Sequence, residues 1–245
     1  MFEAILIVLP VYNEGENILE TLRRITASVS TPHKILLVYD FDEDNTVPVV
    51  TRFISENKAD NIRLVKNLYG KGVLNAIITG FRSAGDDEIV LVSMADLSDD
   101  LTIVDGMFAR INQGYDIVCG SRYMKGGRHV GGPKFKKTLS RMAGLTLHFF
   151  TGIPTHDISN SFKMYRTGIL KDIEIESRGG FEVGMEILVK SFLKGYRITE
   201  IPSVWRDRVA GESHFKLRKW LPEYCRWYLY ALTGSLKKKF FKSVA

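Results

Sequence analysis

Cysteine is nearly absent. Cys119 and Cys225 are the only two in 245 residues; they allow one bridge at most and lack metal-ligand spacing, which excludes a disulfide scaffold or zinc module and fits a reducing compartment. Long apolar runs are missing too. No stretch of about 18 uncharged apolar residues occurs, and the run Phe2 to Leu9 has neither a basic flank nor a small-residue cleavage site, so the sequence reads as neither membrane span nor secretory signal. The 7 prolines and 21 glycines are ordinary and no short repeat recurs, which removes collagenous, disordered and solenoid classes. What remains is a globular chain, 45% hydrophobic and 25% charged, sized for one core plus an appendage.

Charge is unevenly spread. Residues 214–245 hold eight of the 34 Lys/Arg and one of the 28 Asp/Glu, a surplus of seven, which leaves 26 against 27 for the rest. A nearly neutral globule with a basic tail does not have the basic body expected of a nucleic-acid binder. The chain therefore divides into a domain over 1–213 and a basic tail over 214–245.

Short apolar runs at Ala4–Leu9, Lys34–Tyr39, Ile62–Val65, Glu88–Ser93 and Asp116–Cys119 read as strands. Helical periodicity lies between them, at Glu16–Val29 with Asn13 as cap, Thr46–Glu56, Val73–Ala84 and Leu101–Asn112. The alternation predicts right-handed βαβ crossovers and a mostly parallel sheet covered on both faces, with ligands at the carboxyl ends of the strands. Beyond a glycine-rich loop at Gly120–Pro133, a helix over Lys134–Thr151, a strand over Ser161–Tyr165, a helix over Phe181–Leu193 and a strand over Arg197–Ile201 complete the same sheet.

The predicted strand ends carry carboxylates, in Pro10-Val11-Tyr12-Asn13-Glu14, Asp40 to Asn45 and Met94-Ala95-Asp96-Leu97-Ser98-Asp99-Asp100. Such a rim needs a cation or hydrogen-bond donors to answer it, although Asp42, Glu43, Asp99 and Asp100 individually suit turns and caps. A basic set, Arg122, Lys125, Arg128, Lys136, Lys137 and Arg141, falls within 20 positions of the glycine-rich loop and the helix after it, in keeping with phosphate recognition. His148 reads as a packed histidine and His156 as a loop residue, and neither a Ser-His-Asp nor a Cys-His arrangement is present. In the tail, Trp220, Leu221, Tyr224, Trp227, Tyr228, Ala231, Leu232 and Leu236 recur at three and four and are flanked by Lys/Arg. An amphipathic helix of this kind suits packing on the domain near 220–228 and an anionic membrane surface beyond.

Seven segments in order carry a resemblance. They are P-V-Y-N-E from Pro10, the loop Val38–Thr46, G-K-G from Gly70, A-D-L-S from Ala95, G-S-R-Y from Gly120, D-x-x-x-S-F-K from Asp157 and D-R-V-x-G-E-S from Asp207. Together they resemble the catalytic domain of glycosyltransferase family 2, of GT-A fold, and within it the dolichyl- or polyprenyl-phosphate mannosyltransferase branch. The resemblance implies an α/β, Rossmann-like domain that moves a sugar, mannose or glucose favoured, from a nucleotide diphosphate sugar to a lipid phosphate with inversion. It would do so with Mg²⁺ or Mn²⁺ at the cytoplasmic face of a membrane.

For the donor, the resemblance assigns Pro10, Tyr12, Glu14, Asp40, Lys71, Ala95, Asp96, Ser98, Arg208, His214 and Lys216, with Asp96 and Ser98 on the metal. For the acceptor phosphate it assigns Arg122, Lys136, Ser140 and Arg141, with Glu186 as the family's base or structural glutamate. Asp157 and Ser161 would shape the acceptor side. Three departures stand out: Met94 replaces the usual first carboxylate of a D-A-D triplet, Tyr39 and Phe41 alter the second loop, and His214 replaces a lysine. Two other readings are a transferase with a hydroxyl acceptor, which would need a base such as Glu186, and a silent membrane-binding module, which Met94 would explain.

Overall fold

A computed structural model describes residues 2–85, 88–207 and 217–244, the last segment with side chains from 220 to 238. Seven strands form the central sheet: β1 (Ile5–Pro10), β2 (His33–Tyr39), β3 (Ile62–Lys66), β4 (Ile89–Val92), β5 (Ile117–Ser121), β7 (Lys163–Arg166) and β8 (Ile198–Pro202). Their order is β3-β2-β1-β4-β7-β5-β8. All neighbours pair in parallel except β7, which runs antiparallel to both β4 and β5. The register sets Ile7 of β1 between Ile35 and Leu91, so the unbroken Ile/Val/Leu runs lie where a sheet buried on both faces demands them.

Period-two alternation divides these strands between two cores. Ile5, Ile7 and Leu9 pack under α1 (Ile18–Ser28), α2 (Thr46–Asn57) and α4 (Val104–Asn112), through Leu22, Val50 and Met107 among others. Leu6 and Val8 face α3 (Val73–Ser83), α5 (Lys134–Thr151), α7 (Val183–Lys194) and α8 (Leu217–Val244), in a core that includes Ile77, Leu147, Leu188 and Trp227. At Gly80 of α3 an added Cβ would fall 2.3 Å from Val8 Cγ1. Only glycine lets the helix lie that close to β1.

Most expected elements are present, and α5 has the bounds its periodicity predicts. The expected helix over 101–112 is divided, however, into a single 3₁₀ turn at Leu101–Ile103 and then α4. Asn13 is not the cap of α1: the helix starts after Asn17, and Asn13 sits at φ 54 with its side-chain oxygen accepting from Asn45 N at 3.3 Å. Two short elements have no counterpart in the sequence reading. One is α6 (Thr167–Asp172); the other is a two-stranded parallel ribbon of β6 (Arg128–Val130) and β9 (Val204–Arg206).

α8 is part of the body over most of its described length. Trp227 and Ala231 are buried, an added Cβ on Gly234 would fall 2.5 Å from Leu193 Cδ1, and Lys238 donates to the carbonyl of Leu193 at 3.1 Å at the end of α7. Packing therefore runs past the expected limit of residue 228. Among the described residues, no helix is long and apolar enough to cross a membrane.

Candidate active site

The loops after β1 and β2 are clasped together by a fully buried carboxylate. Asp44 accepts from Asn13 N at 3.0 Å and Thr46 N at 2.8 Å, while Thr46 Oγ1 accepts from Glu14 N at 2.9 Å and Asn45 Oδ1 from Gly15 N at 2.9 Å. Above this clasp Tyr12 meets Phe41 edge-on at 5.6 Å, and the Lys71 ammonium lies 5.4 Å from the Phe41 ring centre. Tyr12, Phe41 and Lys71 thus form one aromatic and cationic surface at the ends of neighbouring strands, close to Pro10. Glu14 accepts from Asn17 Nδ2 at 2.9 Å, and Asp40 accepts from Asn67 Nδ2 at 2.9 Å and Gly72 N at 2.8 Å, so both carboxylates brace loops. Gly70 and Gly72, at φ 95 and 111, give the G-K-G turn a backbone that L side chains rarely adopt.

After β4 the chain turns sharply at Leu97, with φ 65. Asp96 accepts from Ser98 N at 3.1 Å, the Ala95 carbonyl accepts from Thr21 Oγ1 at 2.8 Å, and the Ser98 carbonyl accepts from Arg206 N at 3.0 Å. Asp99 holds the turn from beneath, accepting from Met94 N at 2.9 Å and Ser93 Oγ at 3.1 Å. Loss of solvation, with the Asp96 charge adding, pushes the Asp99 pKa up to about 7. Asp100 accepts from Val204 N at 2.9 Å. The acidic turn and β9 are thereby one rigid unit.

A cavity of about 510 Å³ opens beside this turn. Asp96, Ser98, Arg122, Lys136 and Ser140 line its polar end, and Leu139, Met142, Met185, Leu221, Tyr224 and Tyr228 its apolar continuation between α5 and α8. Arg122 is held in a fork by Asp157, Nε to Oδ2 at 2.6 Å and Nη2 to Oδ1 at 2.8 Å, and Nη2 also reaches Ser159 Oγ at 3.1 Å and Ser140 Oγ at 3.3 Å. Burial works against both charges, yet each partner prevails: Asp157 is held below the usual carboxylate range and Arg122 above its ordinary value. Deeper still, the fully buried Lys163 ammonium donates to the carbonyls of Ile158 and Asn160, and burial lowers its pKa. Three cations, Arg122, Lys136 and Lys163, stand against the carboxylates of Asp96 and Asp157 at this end of the cavity, a surplus of one that suits an anion.

The structure brings Asp96, Ser98, Arg122, Lys136 and Ser140 to one cavity; the expected donor residues Pro10, Tyr12, Glu14, Asp40, Lys71 and Ala95 are outside its lining, and so are Arg141 and Glu186. Arg141 is exposed on α5, because residues 136, 140 and 143 face inward and 141 lies on the other side of the turn. Glu186 is fully buried, accepting from Glu176 N at 2.6 Å and Ser177 N at 2.8 Å and pairing with Lys190 at 2.8 Å. Its neighbour Glu182 accepts from Gly179 N and Gly180 N at 2.8 and 2.7 Å. These two carboxylates staple the loop before α7, which is the structural side of the base-or-structural expectation for Glu186. Arg208, His214 and Lys216 lie outside the described residues.

Other groups at the site were not singled out by sequence reasoning. His129 and Trp205 line the cavity from the ribbon, and Ser159 and Asn160 from the loop before β7. The D-x-x-x-S-F-K spacing marked that loop without showing that its carbonyls cap a lysine. His148 and His156 stack with ring centres 4.1 Å apart, the first on the Ile153 carbonyl and the second on Glu200. On the outside of α5, Phe135 and Phe149 are 70% and 79% exposed. Among the described residues no three His, Cys, Asp or Glu side chains converge on a metal position. Asp96 and Ser98 offer hard oxygen donors, while the Met94 thioether does not suit Mg²⁺ or Mn²⁺.

Residues 6–174 match the sequence model of Glycosyl transferase family 2. The chain is 31% identical over 225 residues to a dolichol-phosphate mannosyltransferase of Pyrococcus furiosus, covering 90% of this chain and 61% of that protein. To an undecaprenyl-phosphate 4-deoxy-4-formamido-L-arabinose transferase of Yersinia enterocolitica it is 29% identical over 218 residues, covering 87% and 63%. The chain thus spans less than two thirds of the length of either relative. Among solved structures, glucosyl-3-phosphoglycerate synthase from Mycobacterium tuberculosis, crystallised with Mn²⁺, UDP and glucosyl-3-phosphoglycerate, superposes with a TM-score of 0.64 at 15% identity, covering 96% of this chain and 79% of that one. S. aureus TarS 1–349 with UDP-GlcNAc gives 0.63 at 19% identity, covering 94% and 66%. These likenesses bear on the fold, which is GT-A.

Proposed function

The chain belongs to glycosyl transferase family 2, and from that premise we propose that it transfers a hexose, mannose or glucose favoured, with inversion from a nucleotide diphosphate sugar to a polyprenyl or dolichyl phosphate. The observation that carries this reading is the polarity of the cavity, which leads from Arg122, Ser140 and Lys136 into an apolar slot between α5 and α8. A lipid phosphate has that same division. The two relatives named for dolichol-phosphate and undecaprenyl-phosphate support the same acceptor class.

Arg122, pre-aimed by Asp157, would hold the acceptor phosphate with the Ser140 hydroxyl and Lys136. An acceptor oxygen that is already anionic attacks the anomeric carbon without a base, so positioning and charge neutralisation supply the rate. The engagement of Glu186 elsewhere agrees with this, and it weighs against a hydroxyl acceptor, which would need a general base. On the donor side Tyr12, Phe41 and Lys71 would receive the nucleoside, with Arg208, His214 and Lys216 assigned to the diphosphate by resemblance. A divalent ion would be held by Asp96 and Ser98 with the diphosphate supplying further oxygens, and its charge would stabilise the departing diphosphate. Asp96 and the Arg122 site argue against a silent module. The exposed phenylalanines of α5, the Lys134 and Arg141 cations beside them and the basic sequence of the tail support peripheral binding at an anionic membrane surface, which this reading sets at the cytoplasmic face.

Mass spectrometry of lipid phosphates after incubation with a panel of sugar nucleotides tests the reading. A hexosyl phospholipid formed with Mg²⁺ or Mn²⁺ and lost in Asp96→Asn is the expected result. Transfer to a free sugar hydroxyl instead would favour the second transferase class, and no donor turnover with any acceptor would favour the silent module.

A further inference from the structure

Alternation along β9 sends the side chains of residues 205 and 207 to one face, and Trp205 and Asp207 both line the cavity, with His129 of β6 beside them. The ribbon is tied down on every side. Val204 N donates to Asp100 at 2.9 Å, Arg206 N to the Ser98 carbonyl at 3.0 Å, Asp207 N to the Val130 carbonyl at 3.0 Å and Arg128 N to the Ser203 carbonyl at 2.9 Å. The His129 ring lies edge-on to Trp205 at 4.5 Å and its Nδ1 bonds Tyr123 Oη at 3.1 Å. Burial, aided by the Arg122 and Lys137 charges, pushes the His129 pKa down to about 4, so the imidazole is neutral near pH 7.

The opening among these groups is kept clear by glycine. Gly132 has φ +71, and a Cβ there would come within 3.5 Å of His129 Nε2, 3.7 Å of Trp205 Cζ3 and 3.9 Å of Asp207 Oδ2. An aromatic ring, a neutral imidazole and a carboxylate therefore converge at a space that faces the cavity. A hexose ring has the matching character: a C–H face that lies on an aromatic ring and a rim of hydroxyls that need hydrogen-bond partners. In transfer, the sugar must lie between the diphosphate at Asp96 and Ser98 and the acceptor at Arg122 and Ser140. The ribbon borders that same compartment.

We propose that the β6–β9 ribbon is the sugar-reading wall of the site, with Trp205 as the platform for the hexose and His129 and Asp207 as partners for its hydroxyls. The inference rests on the transferase reading. It assigns sugar selectivity to residues outside the acidic turn and the nucleoside loops.

The test is calorimetric titration of the full chain, without acceptor, with UDP and GDP and with UDP-glucose and GDP-mannose. In Trp205→Ala the ratio of sugar-nucleotide to bare-nucleotide affinity should fall about tenfold while bare-nucleotide affinity is unchanged. Trp205→Phe should keep most of that ratio, and His129→Gln should change the ranking of the two sugars. An unchanged ratio in Trp205→Ala, or an equal loss for bare nucleotides, overturns the proposal and leaves the transferase reading standing. A wild-type chain that binds none of the four ligands overturns both. If Trp205→Ala does not melt cooperatively, Trp205→Leu and His129→Gln decide on the same ratio.

Discussion

On the proposed function the Arg122–Asp157 pair joins stability and recognition in two residues. Asp157→Asn leaves a buried guanidinium without its counter-charge and should cost about 3–5 kcal/mol, read as a lower midpoint in denaturant melts. Because the Asp157 pKa is depressed in the fold, the pair's contribution is complete above the ordinary value of 3.8, declines as pH falls below it and is lost once pH has passed through the lower folded value. His129 acts in another window. Its folded pKa of about 4 against 6.5 unfolded means that the unfolded chain takes up the proton first, so stability present above pH 6.5 declines toward pH 4. Arg122 and Lys137 carry the lower edge of that window down, whereas Asp157 and Asp207 hold it up. Melts of wild type and His129→Gln from pH 7.5 to 4.5 should show a shallower decline in the variant; parallel curves would remove His129 as the source.

Helix α5 meets the loop before β7 where an added Cβ on Gly144 would fall 2.0 Å from the His156 carbonyl oxygen. Gly144→Ala must push the helix off that loop, at about 1–3 kcal/mol, and draw Ser140 away from Arg122. Acceptor KM should rise while donor affinity holds. Glu186→Gln, by contrast, weakens the loop staple, with about 1–3 kcal/mol lost and an unaltered pH profile of turnover; a collapse of kcat with normal stability would restore Glu186 as a base. The sheet and the long helices were legible because Ile/Val/Leu runs and 3.6-residue periodicity persist over several residues, as in β1, β4 and α5. The ribbon was not: Arg128-His129-Val130 and Val204-Trp205-Arg206 are three residues each and carry no period, and their pairing joins positions some 75 apart. The shared cavity of Asp96, Arg122 and Ser140 was legible through motif order. Asn13 misled because an Asn before a helix can equally enter the left-handed region, and the partners of Glu186 were not legible because a motif match leaves open what packs on the residue.

Taken whole, the molecule has an acidic turn, an anion site and an apolar slot on one side and an exposed aromatic stripe close by on α5. Replacing Phe135 and Phe149 with Ser should cut binding to anionic vesicles severalfold with no loss of melting temperature, since both side chains are exposed; co-sedimentation at low and high salt measures it. Salt should weaken the remaining, charge-driven part first. Equal binding by the variant and wild type would leave the stripe without this role. The inner face of α5 carries Ser140 and the outer face Phe149, so the two differ in depth by a helix width, about 10–12 Å, when α5 lies flat on a surface, with about 13.5 Å between them along the axis. On the proposed function, phenylalanines sunk about 5–10 Å into the headgroup boundary would set the Arg122 site level with the lipid phosphates, and an acceptor would reach it by sliding sideways within the leaflet. Turnover should then follow the mole fraction of acceptor in the surface, and diluting the acceptor with inert lipid should slow the enzyme where adding more vesicles of the same composition does not speed it.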